Sequence, residues 1–156
     1  MILRTAAVPS CLEVSLLSPL RTVQAGDSLE ISSDWFATRV GSPIVRCSDV
    51  AAVREPLKLT RKDDKLRLTG TLGVFAPGNL AIVLQDAAGA AIGQPILIKV
   101  SPADEVKVDK TLAEEATARK LVVELQNSKG TPLGQVAELE MGATVAKAEP
   151  KPEPAK

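Results

Sequence analysis

Few side chains in this sequence could do chemistry, and their spacing gives them little to do. Adjacent acidic pairs include Asp63-Asp64 and Glu114-Glu115, and the thiols are Cys11 and Cys47. Two neighbouring carboxylates can hold a calcium ion weakly, but Asp63-Asp64 falls in a polar hairpin turn, where solvent satisfies both. Glu114-Glu115 reads as the favourable acidic first turn of a helix. Two cysteines are too few for a disulfide scaffold or a zinc site. They could bridge each other in an oxidising compartment, and buried free thiols are the expectation. The chain has no His, which removes imidazole acid–base chemistry, His-ligated metals and the usual base of a nucleophilic triad. It has no Tyr, and its aromatics are Trp35, Phe36 and Phe75, so it offers no stacking platform for nucleobases. Neither G-x-x-x-x-G-K-[ST] nor a G-x-G-x-x-G opening a helix occurs, so phosphate cradles are missing. These absences argue against an enzyme. No catalytic residue, metal site or cofactor is expected.

The elements that position these residues belong to a chain of 156 residues, enough for one domain, or one domain with an arm. Lys plus Arg and Asp plus Glu both number 19, so the formal net charge is zero. Such a balance leaves no electrostatic footprint for nucleic acid or an anionic membrane. At the start, Arg4 and Pro9 interrupt the apolar stretch that a secretory signal needs. Val8-Pro-Ser-Cys11 looks superficially like a lipoprotein cleavage box, but the segment before it is too short. No run approaches the roughly 20 apolar residues of a membrane helix. A soluble chain is expected.

Up to about residue 101 the pattern is all-β. Leu12-Glu-Val-Ser-Leu16 alternates, Thr22-Val-Gln-Ala-Gly-Asp27 is a turn, and Ser28-Leu-Glu-Ile-Ser-Ser-Asp-Trp35 alternates again with Leu29 and Ile31 on one face. Pro43-Ile-Val-Arg-Cys47 is a further strand candidate. The clearest hairpin is 57–68: Leu57, Leu59, Leu66 and Leu68 take the core face, and Lys58, Lys65 and Arg67 point outward, blunting a sheet edge. Two more strands, Asn79 to Asp86 and Ile92 to Val100, flank an Ala-Ala-Gly turn.

A Pro-Gly turn, an apolar strand, an Asp-x-x-Gly turn and an alternating strand make a pattern that resembles the last hairpin of immunoglobulin-like β-sandwich modules of bacterial and phage surface proteins. Ala25-Gly-Asp-Ser-Leu-Glu-Ile31 looks like their second strand. The resemblance covers roughly 10–101 and implies an immunoglobulin-like antiparallel sandwich over 1–101. Cys11, Trp35 and Cys47 do not have the Cys–Trp–Cys arrangement of antibody domains.

A repeat follows. Residues 80–94 match 121–135 without a gap, with Leu80/Leu121, Leu84/Leu125, Gln85/Gln126, Gly89/Gly130, Gly93/Gly134 and Gln94/Gln135 identical. Gly89 and Gly130 are expected at positive φ in the turns. Between the copies, Thr111-Leu-Ala-Glu114 reads as a capping box, and the spacing predicts a short helix over 111–120. The second copy predicts a hairpin at 120–141, expected to act as a C-terminal arm within a segment spanning 102–142. Leu121, Val123, Leu125, Leu133 and Leu139 are its candidate interface, with docking onto a neighbouring subunit favoured over packing within the chain. Residues 143–156, with Pro150, Pro152 and Pro154, form a Pro/Lys/Glu-rich extended tail.

The expected function is that of a non-catalytic structural protein in a large assembly whose partners are other protein subunits, not nucleic acid or membrane. A phage virion component assembled in the host cytoplasm, such as a capsid decoration or minor capsid protein, is the specific expectation. The alternatives are a cell-surface or periplasmic interaction module of a bacterium and an accessory subunit of a larger complex.

Overall fold

The computed structural model describes residues 2–7, 10–15, 20–62, 65–113, 115–141 and 146–147. Asp63-Asp64, Glu114 and all of the Pro-rich tail except Ala146-Lys147 lie outside them. The chain divides into two units, Met1–Trp35 and Phe36–Lys156.

The first unit holds an antiparallel hairpin of β1 (Ile2–Ala7) and β2 (Ser10–Ser15), and its described residues 20–35 form no strand or helix. The strand expected at 28–35 does not form. Leu29 and Ile31 stand 46% and 53% exposed, because among the described residues no strand pairs with this segment to cover the face that their alternation creates.

The second unit is all-β and sandwich-like, built from β3 (Arg46–Cys47), β4 (Ala51–Lys62), β5 (Lys65–Val74), β6 (Gly78–Gln85), β7 (Ala91–Val100), β8 (Val106–Leu112), β9 (Lys120–Gln126), β10 (Pro132–Glu140) and β11 (Ala146–Lys147). One sheet runs β10-β9-β6-β7; the other runs β11-β4-β5-β8, with the short β3 also on β4. Leu66, Leu68, Leu72 and Val74 from the second sheet meet Leu80, Leu121, Val123 and Leu125 from the first in one buried cluster. The 57–68 hairpin is as its alternation predicts: Leu57, Leu66 and Leu68 are buried while Lys58, Lys65 and Arg67 are exposed. Its β4 strand bulges at Pro56 and Leu57, and Leu57 occupies the space that a Cβ at Gly70 would need.

Two expectations fail downstream. The helix over 111–120 is absent among the described residues: Thr111 and Leu112 finish β8 against Arg67 and Leu66, Ala116-Thr117 is a turn, and Lys120 opens β9. The period-2 burial of Val106, Val108 and Leu112 on a sheet outweighs the local capping signal. A boundary near 101 does not divide the fold either, since β8 pairs β5 and β9 pairs β6. The repeated hairpin is an integral half of the chain's own sheet.

The two copies lie side by side, β6 against β9, in a register that pairs Leu80 with Leu125, Ile82 with Val123 and Leu84 with Leu121. Ile82 thus faces its own equivalent, Val123, and the Leu80–Leu125 and Leu84–Leu121 pairs on either side are equivalent to each other, a local two-fold centred on Ile82 and Val123. The turns repeat too. Asp86 Oδ1 accepts from the Ala88 and Ala90 amides at 2.9 Å each, and Asn127 Oδ1 accepts from Lys129 and Thr131 at 2.9 and 3.0 Å. Gly89 and Gly130 hold φ of 83° and 81°, the left-handed region where a side chain is strained.

Candidate functional site

The five candidate interface residues separate. Leu121, Val123 and Leu125 are 0–1% exposed inside the central cluster, and Leu139 packs partly buried against it. Leu133 alone is outside, at 44% exposed. They form no common outward face, and the expected docking of this hairpin onto a neighbour gives way to packing in cis. Strand β6 supplies the reason: it offers β9 a complete antiparallel ladder from Asn79 to Gln85 within the same chain.

Charged side chains pair along the sheet faces instead of converging. Arg67 grips both carboxylate oxygens of Asp109 across β5 and β8, which holds that carboxyl below its ordinary range. Lys120 bonds Glu138 at 2.8 Å and lies near Glu140, raising the lysine and lowering Glu138. Glu105 takes the Gly41 amide at 2.9 Å and Arg54 at 3.1 Å; the amide first, then the guanidinium, push its carboxyl down. This last trio, with the Arg39 amide on the Pro102 carbonyl at 2.7 Å, ties the 38–41 segment to the β7–β8 loop. Gly73 lets Thr38 and Val40 lie directly against β5. Among the described residues no three Cys, Asp or Glu side chains gather as a metal site would need. Cys47, expected to be buried, is an exposed free thiol, because the two-residue β3 lies outside the core cluster.

Two other features stand out in the structure. One is a cleft of about 350 Å³ where the edge of β4 approaches β10, lined by Val53, Pro56, Leu57, Val136, Ala137 and Leu139 among others. The Arg46 guanidinium closes one side by donating to the Val136 carbonyl. The second is the segment 20–35 with Leu20, Val23, Leu29, Ile31 and Trp35 all exposed. The alternation of 28–35 predicts a half-buried strand, and nothing in the sequence pattern was read as the cleft. One signal did point to it, since a Pro within the β4 run marks an edge strand.

No family model, curated protein or solved structure matches this chain.

Proposed function

We propose that this chain is a non-catalytic structural protein that works by docking onto other protein subunits of a larger assembly. One observation carries the reading: residues 28–35 keep the alternation of a half-buried strand while Leu29, Ile31 and Trp35 stand 46, 53 and 65% exposed. A pattern made to bury one face, left uncovered, is the mark of an interaction segment. The absence of His from the sequence agrees with a non-catalytic role.

The sandwich itself supports an immunoglobulin-like reading. Strands β4-β5-β8 facing β7-β6-β9-β10 follow the order A-B-E and C′-C-F-G of that class. On this assignment the hairpin at 78–100 is the middle pair, and the repeated hairpin at 120–140 is the closing one. A phage virion, with the chain as a capsid decoration or minor capsid protein, is the proposed setting. Sedimentation of extracts from the source tests it. The protein is expected in large particles, and a Leu29→Asp/Ile31→Asp chain is expected to stay in the soluble fraction. Wild-type protein recovered wholly at monomer mass would overturn the reading.

A further inference from the structure

We infer that the partner of the docking segment is a second copy of this chain, whose β4 edge accepts residues 28–35 as an added strand. The inference rests on the docking role proposed above and names its occupant. The acceptor is on the page. Strand β4 is paired to β5 along one side; on its other side, among the described residues, it pairs with β3 at Ala52 and Val53, takes the Val45 amide on the Val53 carbonyl, and pairs with β11 at Thr60 and Arg61. Residues 54–59 therefore present a free edge among the described residues, beside the apolar cleft lined by Val53, Leu57 and Leu139. Unpaired edge groups are a template for another strand, and main-chain bonds supply affinity while alternate side chains supply selectivity.

Donor and acceptor match in both polarity and charge. In an added strand Leu29, Ile31 and Trp35 share one face, suited to the cleft, and Glu30 and Asp34 share the other. Glu30 and Asp34 give the donor two acids, Asp27 lies just before it, and no Lys or Arg occurs from 22 to 38. The outward face beside the acceptor edge carries exposed Lys58, with Lys65 on β5; Arg67 on the same face is already paired with Asp109. One acid stands among them, Glu55, which accepts from the Thr71 hydroxyl at 2.7 Å and keeps its charge, so among the described residues the two unpaired lysines outnumber it. Pro56 and Lys58 would discourage an ordinary strand, since one lacks an amide and the other brings a charge. An acidic amphipathic strand relieves the charge and loses only one ladder bond, so the edge admits this donor and discourages others. Each copy holds one donor and one acceptor, so mutual exchange closes a dimer and one-way exchange builds a chain.

Sedimentation velocity of the purified full-length chain reads the outcome. Wild type is expected to self-associate. Leu29→Asp/Ile31→Asp is expected to weaken association about a hundredfold or more, the equivalent of two aliphatic side chains left in water. Lys58→Glu alone is expected to weaken it about fivefold, as an exposed charge pair would. Adding Glu30→Lys and Asp34→Lys to Lys58→Glu should restore association, whereas those two lysines alone should not. Far-UV circular dichroism checks that each variant keeps its sheets. A monomeric wild type, or a triple variant no stronger than Lys58→Glu, overturns the inference. If the purified chain is monomeric yet the source protein still sediments with particles, the docking role stands and only the identity of the partner is wrong.

Discussion

Replacing Leu125 by Ala tests whether the repeated hairpin belongs to this chain's core. Leu125 is fully buried, pairs with Leu80 on β6 and faces Gly134 on β10. Ladders fix the backbone on both sides, so neighbours have little freedom to collapse into the space left behind. Leu→Ala at such sites costs about 2–5 kcal/mol, and limited relaxation places this one in the upper half, about 3–5 kcal/mol. That is a large share of the ~5–15 kcal/mol that holds a domain folded. For a unit near one hundred residues, about 4 °C or more per kcal/mol turns this into a fall of at least about 12 °C in Tm. Leu133→Ala is the control, because that side chain is 44% exposed and should lose less than about 1 kcal/mol. Urea unfolding followed by far-UV circular dichroism measures both, with an unchanged m-value required for the comparison. Trp35 fluorescence is unsuited, since the indole is already 65% exposed. Equal, small losses for the two variants would mean that the hairpin is an arm docked elsewhere, and the packing argument would be refuted. Deleting 103–156 is expected to abolish folding for the same reason, since it removes β8, β9 and β10.

Three other outcomes follow from specific contacts. Gly78→Ala drives a Cβ into the Gln126 carbonyl oxygen, with Asn127 Cα at 3.2 Å; backbone cannot rotate aside, so a loss of about 3 kcal/mol or more in urea unfolding is expected. Asp86→Ala and Asn127→Ala each strip two amides of their acceptor and should cost about 1–2 kcal/mol, whereas Asp86→Asn should be nearly neutral because the other copy of the turn uses Asn. Glu105 has a folded pKa below the ordinary value of about 4.5, so its contribution is complete above that value and fades as pH falls through the folded one. Hydrogen-exchange protection of the Gly41 amide should therefore drop on acidification below about 4.5, and Glu105→Ala should remove the pH dependence.

The hairpin at 57–68 and the two turns were legible in the sequence because their signals are local. Leucines two apart around a charged turn permit one register that buries them all, and Asp or Asn with Gly three residues on specifies the turn geometry. The helix over 111–120 was misread for the complementary reason. Its capping-box residues act within a few positions, while the burial of Leu112 depends on β5, more than forty residues earlier.

Sequence alone therefore determined the alternation of 28–35, the all-β character of the sandwich and the existence of two like hairpins. It left open which surfaces meet. Periodicity states that a face must be buried and is silent on what buries it, since the covering residues can lie anywhere in the chain or in another molecule. Tertiary structure decided two such cases oppositely. Val123 and Leu125 found β6 within the chain and are 0–1% exposed, whereas Leu29 and Ile31 carry the same alternation and remain half in water. The difference is the presence of an antiparallel edge in register, which only the assembled sheet provides.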